Sequence, residues 1–411
     1  MQKISIIAML ICLGALSYAA WEAVGPAGGY IRSVVVSPSN ENILYAASYS
    51  YPCKIFRSID AGASWTRTGS YNGYNYCMAI DPSDNLYSGY YGRVWKSTDG
   101  GATWTSGTVT SVYVYGLAVH PTNPSIIVGA GRKYISSGVY DMVFIKSTDS
   151  GSTWTTTTVL NNGSYCYGWC VAIDPSSPNT IFVGGSEYVS TTYYPRVFKS
   201  TDGGSSFTNV SWAATSGYYT YSLAVHPTNS NIVYAGTYTD GIYRSTDGGG
   251  SWTKVSTYFY NYRMATSSLD PDLVFSTAYS SVYRSTDAGL TWTSLSSGLS
   301  GNYLWGLAIS PVNTSNVYIG NDAGCYKTTN MGTIWTAAVN GMYLGEINDI
   351  GLAPSSPATL YTEFENVGVY KTTDNGSSWT LLPTPSTCGA LCAFGVHNTD
   401  PDIVFGFEGS G

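Results

Sequence analysis

The sequence predicts an all-β protein assembled from copies of one unit of four short antiparallel strands. Three observations predict it. An octapeptide of the form S-x-D-x-G-x-x-W recurs along the chain, its copies fall 39 to 53 residues apart, and no segment between them shows a sustained helical period. The intervening residues instead alternate apolar and polar, with Gly, Pro, Asn and Asp at the breaks, as short half-buried strands do. A repeat of this length is one blade of a β-propeller, and repetition of this extent outranks any local signal in reading the fold.

The copies are SIDAGASW (58–65), STDGGATW (97–104), STDSGSTW (147–154), STDGGSSF (200–207), STDGGGSW (245–252) and STDAGLTW (285–292). Two weaker ones follow, TTNMGTIW (328–335) and TTDNGSSW (372–379). Their acids are Asp60, Asp99, Asp149, Asp202, Asp247, Asp287 and Asp374, with Asn330 in the seventh slot. Each unit reads alike. A first strand such as YGLAVHP (115–121) leads through a polar turn to a second such as NIVYAG (231–236); a third such as GIYRS (241–245) enters the octapeptide and a fourth such as SWTKV (251–255) leaves it. About eight units are expected, with a ninth that is composite or truncated. Trp21–Val24 aligns with Trp252–Val255 as an orphan fourth strand, and 390–407 supply a first and second strand. Pairing of these two ends would close the ring and remove its sheet edges.

These residues resemble the Asp-box (BNR) repeat family, found in sialidases, sortilin-type receptors and two-propeller xyloglucan-cleaving glycosidases. The resemblance spans 21–411 and implies a structural role for the octapeptides: the Asp accepts hydrogen bonds from the turn, Gly takes unusual backbone angles, and Trp packs between blades. Arg57, Lys96, Lys146, Lys199, Arg244, Arg284, Lys327 and Lys371 each precede a copy and belong to the same scaffold. One carboxylate per turn is too few for calcium, so no metal or cofactor is expected. His120, His226 and His397 share a column with Asp81, Asp174 and Asp270 ahead of a turn, which marks a repeat feature rather than a catalytic triad.

Residues 1–19 read as a secretory signal peptide, with Lys3, an apolar core from Ile4 to Leu16 and small residues at Ser17 and Ala19, leaving 20–411 as propeller. A secreted or cell-surface protein without a membrane span is therefore expected. Charged residues are 10% and the net charge is −7, which argues against a nucleic-acid partner. Of eight cysteines, Cys12 falls in the leader. Cys166/Cys170 and Cys388/Cys392 lie four apart, roughly 13 Å along an extended strand, so either pair bridges only where the chain turns. Cys325 reads as a buried free thiol.

The connections opposite the octapeptides vary in length and are rich in tyrosine. The second-to-third-strand connections at 131–141 and 186–195 read as the longest loops. Tyr49, Tyr74, Tyr76, Tyr219, Tyr260 and Trp305 are the candidate binding residues, suited to stacking on sugars or covering a protein surface. Candidate acids on or near this face are Asp240, Asp322, Glu346, Glu363 and Glu365, with Asp322, Glu363 and Glu365 foremost; a glycosidase needs two carboxylates at a defined separation. The opening WEAVGPAGGYIRSVVVSPSNENILYAA is similar to the start of the xyloglucan-cleaving propellers. That resemblance implies a catalytic Asp after the second strand, where this chain has Tyr49. No Arg-Ile-Pro motif of sialidases occurs. The expected function is a secreted, non-catalytic propeller that binds polysaccharide or an extracellular protein, or associates with itself; the alternative is a glycoside hydrolase.

Overall fold

The structure is a computed structural model that describes residues 30–213, 218–258 and 260–338. It also describes 347–353, 355–356, 358–364, 368–373, 380–382, 391–396, 400–402 and 404–408. The proposed leader, the orphan strand at Trp21–Val24, Glu346, Glu365, Asp374, Cys388 and His397 lie outside the described residues. Among the described residues every regular element is a β-strand, and no helix is long and apolar enough to cross a membrane.

The first sheet holds β1 (Ile31–Val36), β2 (Leu44–Ser48), β3 (Cys53–Ser58) and β4 (Thr66–Tyr71), paired antiparallel in chain order. The next six strands are β5 (Cys77–Ile80), β6 (Leu86–Ser97), β7 (Thr105–Val119), β8 (Ile127–Ser136), β9 (Val139–Ser147) and β10 (Thr155–Leu160). Then come β11 (Cys166–Ile173), β12 (Ile181–Val189), β13 (Thr192–Ser200) and β14 (Thr208–Asn209), followed by β15 (Thr220–Val225), β16 (Val233–Thr237), β17 (Ile242–Ser245) and β18 (Thr253–Ser256). After these lie β19 (Arg263–Thr266), β20 (Val274–Thr277), β21 (Val282–Ser285) and β22 (Thr293–Ser294), then β23 (Gly306–Ile309), β24 (Val317–Asn321), β25 (Gly324–Thr328) and β26 (Thr336–Ala337). The last sheets hold β27 (Ile347–Leu352), β28 (Leu360–Phe364), β29 (Gly368–Thr372) and β30 (Thr380–Leu381), and finally β31 (Leu391–Val396) with β32 (Val404–Glu408).

The described residues thus form six separate four-stranded blades, not the eight or nine that counting octapeptides predicts. The second and third repeat units merge into one six-stranded sheet. There β6 runs through a second and a third strand position, and β7 through a fourth and a first. Residues 105–119 carry β-branched and aromatic side chains with no Pro or Asn, so pairing resumes on both sides of the kink at Ser111 (φ 62°). The final sheet has two strands, packed through β31 against β27.

The innermost strands β1, β5, β7, β11, β15, β19 and β23 pack side by side in that order, and β23 returns to β1. The joint of the ring therefore lies between β23–β25 and β1, not at residues 390–407. Its core is shared: Tyr318 and Cys325 pack with Ile31, Val34, Leu44 and Phe56.

The two stretches expected as long loops are also different in the structure. Strands β8 and β9 pair out to Ser136 and Val139, and β12 and β13 out to Val189 and Thr192, so each forms a long hairpin closed by two residues. Gly138 and Ser190 supply the positive φ (76° and 60°) such turns require.

The octapeptide turns hold themselves together. Ser58 donates to Asp60 Oδ1 (2.8 Å), Gly62 N donates to Ser58 Oγ (2.8 Å), and Ser64 N donates to Asp60 Oδ1 (2.8 Å). Asn330 stands in without a charge, accepting from Thr328 Oγ1 (2.7 Å) and Ile334 N (3.0 Å). The basic residue before several of the copies reaches the following turn. Lys146 donates to Gly203 O (2.9 Å), Lys199 to Gly248 O (2.7 Å), Arg244 to Ala288 O (2.7 Å) and Arg284 to Met331 O (2.7 Å). His and Asp cap the turn after the first strand in some units, where Asn123 N donates to His120 Nδ1 (3.1 Å) and Ser83 N to Asp81 Oδ1 (2.9 Å). Ser37, Ser267 and Ser310 take the position in others, and Ser267 rather than Asp270 follows β19.

Candidate binding site in the central channel

Four of the seven first strands of the ring share an irregularity at one position. The register of β1 slips between Ile31 and Ser33, of β7 between Val114 and Gly116, of β11 between Gly168 and Cys170, and of β15 between Thr220 and Ser222. The extra residues are Arg32, Tyr115, Trp169 and Tyr221. A bulge leaves one residue unpaired and re-aims its side chain. The corresponding residues of the other innermost strands are Tyr76, Tyr262 and Trp305, so the column reads Arg, Tyr, Tyr, Trp, Tyr, Tyr, Trp.

These side chains touch in a closed collar. Ring centroids stand 5.2 Å apart for Tyr76–Tyr115, 4.5 Å for Tyr115–Trp169 and 5.2 Å for Trp169–Tyr221. They continue at 5.8 Å for Tyr221–Tyr262 and 4.1 Å for Tyr262–Trp305. Arg32 completes the circuit, its guanidinium 4.3 Å from the Trp305 ring centre and 5.9 Å from that of Tyr76. Such contacts are each worth about 0.5–1.5 kcal/mol beyond area burial. The collar borders a cavity of about 210 Å³ on the channel axis, lined also by Cys77, Cys170 and Arg263.

The candidate residues join this collar. Tyr49 lies 5.2 Å from Tyr74 and 6.3 Å from Tyr76, with the Arg32 guanidinium 5.0 Å from its centre. Tyr219 lies 5.6 Å from Trp169 and 5.3 Å from Tyr221, and Tyr260 reaches it through Tyr238 at 4.7 Å. Tyr49, Tyr74, Tyr76, Tyr219, Tyr260 and Trp305 thus belong to one continuous network of rings. Arg132 extends it, its guanidinium 4.5 to 4.6 Å from Tyr113, Tyr140 and Tyr167. Sequence reasoning missed Tyr115, Trp169, Tyr221 and the role of Arg32. Aligning first strands on their shared apolar residues would have exposed the column.

Burial pushes Tyr76 and Tyr219 up to about 12 and Tyr221 further, so the hydroxyls stay neutral near neutral pH. Among the described residues Trp169 Nε1 is buried without a hydrogen-bond partner, as are the indole nitrogens of Trp65, Trp95 and Trp212.

Of the candidate acids, Asp322 accepts from Asn302 N (2.5 Å) in the turn between β24 and β25. Asp240 is held by Lys254 (2.7 Å) and the Tyr243 hydroxyl (2.5 Å). Glu363 stands on β28, where its backbone registers with Asp349 and Val369. Cys166 and Cys170 lie on the extended strand β11 and both are free, as is buried Cys325.

No protein-family model matches the sequence, and no curated protein does. Solved structures do. The chain is similar to the GH74 xyloglucanase from Xanthomonas campestris at TM-score 0.62 and 16% identity, covering 90% of this chain and 70% of that one. It is similar to the WD40 beta propeller domain of Doa1 at TM-score 0.55 and 10% identity, covering 74% and 93%. The extracellular domain of a hybrid two component system from B. thetaiotaomicron aligns at TM-score 0.54 and 13% identity, covering 88% and 47%. At these identities the likeness shows the β-propeller fold.

Proposed function

We propose that this chain is a secreted Asp-box propeller that binds polysaccharide through the aromatic collar and does not cleave it. The single observation that carries the reading is the closed collar of aromatic rings from Tyr76 to Trp305. Aromatic faces stack on the apolar faces of sugars. The GH74 structure is that of a xyloglucanase, which supports a glycan as ligand. The leader read at 1–19 supports secretion.

Against hydrolysis stands Tyr49, where the resemblance implies a carboxylate. Asp322 is already engaged by Asn302 N. Loss of a catalytic acid or nucleophile costs several orders of magnitude, so binding without turnover is the consistent reading.

Purified protein screened against neutral and acidic polysaccharides should show retention without reducing-sugar release. Trp169→Ala and Trp305→Ala should each weaken retention tenfold or more while keeping a wild-type circular dichroism spectrum. Turnover abolished by Asp322→Asn or Glu363→Gln would replace this reading with the hydrolase. Retention unchanged in both Trp variants would remove the collar from it.

A further inference from the structure

Among the described residues, two arginines at the collar have no acidic partner. Arg263, on β19, lines the channel cavity deep within the ring. Its Nη1 donates to Tyr262 O (2.9 Å) and its Nη2 to Tyr76 O (3.4 Å), a carbonyl on the opposite side of the channel. Arg32 Nε, from β1, donates to the same Tyr76 O (3.4 Å). Both guanidinium carbons lie over Trp305, at 4.3 and 5.3 Å from its centre. Two cations thus meet around one indole and one main-chain oxygen.

Nothing anionic answers them. Among the described residues no Asp or Glu forms an ion pair with either arginine. The thiols of Cys77 and Cys170 share the cavity wall, but burial pushes both up to about 12, so they are neutral. Burial, followed by the charge of Arg32, lowers Arg263 to about 10, which still leaves it protonated at neutral pH. Charges withdrawn from water are ordinarily paired, because desolvation disfavours the ionised form. Two like charges side by side compound that cost, and cation–π contact offsets only part of it. A guanidinium also carries five N–H donors in a rigid fork, more than these two carbonyls use.

We propose that Arg263, lining the cavity, and Arg32, in the collar beside it, form an oxyanion site that takes the carboxylate or sulfate of an acidic sugar residue. An acidic glycan would lay its ring against the collar aromatics and its charged group in the cavity. The sugar half of this inference rests on the glycan-binding reading; the anion half rests on the arginines alone.

Calorimetry at low salt with a galacturonate trisaccharide and its methyl ester separates the two halves, and inorganic sulfate in thermal melts provides the free-anion arm. The wild type should bind the acid at least tenfold tighter than the ester. In Arg263→Met that preference should fall below twofold, with ester affinity unchanged; Arg263→Gln serves the same purpose if Arg263→Met does not fold. Equal binding of acid and ester would overturn the oxyanion site and leave the glycan reading standing. Stabilisation by sulfate that is lost in the variants, with neither sugar bound, would support the site and sink the glycan reading. No response to any of the three probes would overturn both.

Discussion

Lys327 Nζ donates to the main-chain carbonyl of Ala61 at 2.8 Å, joining residues 266 positions apart in the chain. The bond repeats the contact by which Lys146, Lys199, Arg244 and Arg284 reach the next octapeptide turn, but here the next turn is the first one. One scaffold interaction, copied around the ring, also closes it.

Lys327→Met should therefore destabilise the protein by about 1.5–3 kcal/mol, the range for a hydrogen bond with one charged partner. Urea unfolding would measure it beside Lys199→Met, which removes the same bond between consecutive blades. An unchanged midpoint for Lys327→Met would mean that the joint is held by apolar packing alone.

Gly204 takes φ +91°, and a Cβ there would collide with the Phe144 ring of the preceding blade. Gly204→Ala should cost about 2–4 kcal/mol, through left-handed strain and overpacking together. Gly92 has φ +71° and open space for 4 Å around the point where a Cβ would stand, so Gly92→Ala should cost only about 1–2 kcal/mol. Equal denaturation midpoints for the two variants would show that the turn does not press on the neighbouring blade.

The octapeptide carboxylates set an acid limit to stability. Thr103 side-chain and backbone donors hold Asp99 at about 2, and Thr153 and Ser251 do the same for Asp149 and Asp247, against an ordinary 3.8. Because these folded-state values lie below the unfolded one, the stabilisation is present above about pH 4 and is lost as pH falls toward 2. Melting temperature followed from pH 5 to pH 2 should drop across that window. Asn at all three positions should flatten the drop, since Asn330 already makes the same turn without a titrating group. An equally steep loss in the triple variant would place acid sensitivity elsewhere.

Cys53, Cys77, Cys166, Cys170 and Cys325 are buried and free, and burial pushes each thiol up to about 12. In native protein at pH 8 these five should resist iodoacetamide for hours and label promptly in guanidinium. Fast native labelling of Cys77 or Cys170, mapped by mass spectrometry, would mean that the channel admits a reagent past the collar.

Whatever repeats could be read from the chain alone. Spacing of the octapeptides, alternation in the strands and the Ser–Asp–Gly order carry the four-stranded blade and its turn, because each depends on residues a few positions apart. Tyr49, Tyr74, Tyr76, Tyr219, Tyr260 and Trp305 were legible for a similar reason: tyrosine clusters in variable connections stand out against a regular background. Other features arise only when the blades assemble. Counting octapeptides could not reveal that β6 and β7 run on into neighbouring strand positions, since hydrogen-bond register rather than spacing separates one blade from the next. It could not place the joint at Lys327 and Ala61, because closure depends on blade rotation summed around the ring. Nor could it show Arg32 and Arg263 meeting at the Tyr76 carbonyl, for that geometry arises only when strands far apart in sequence converge on one axis.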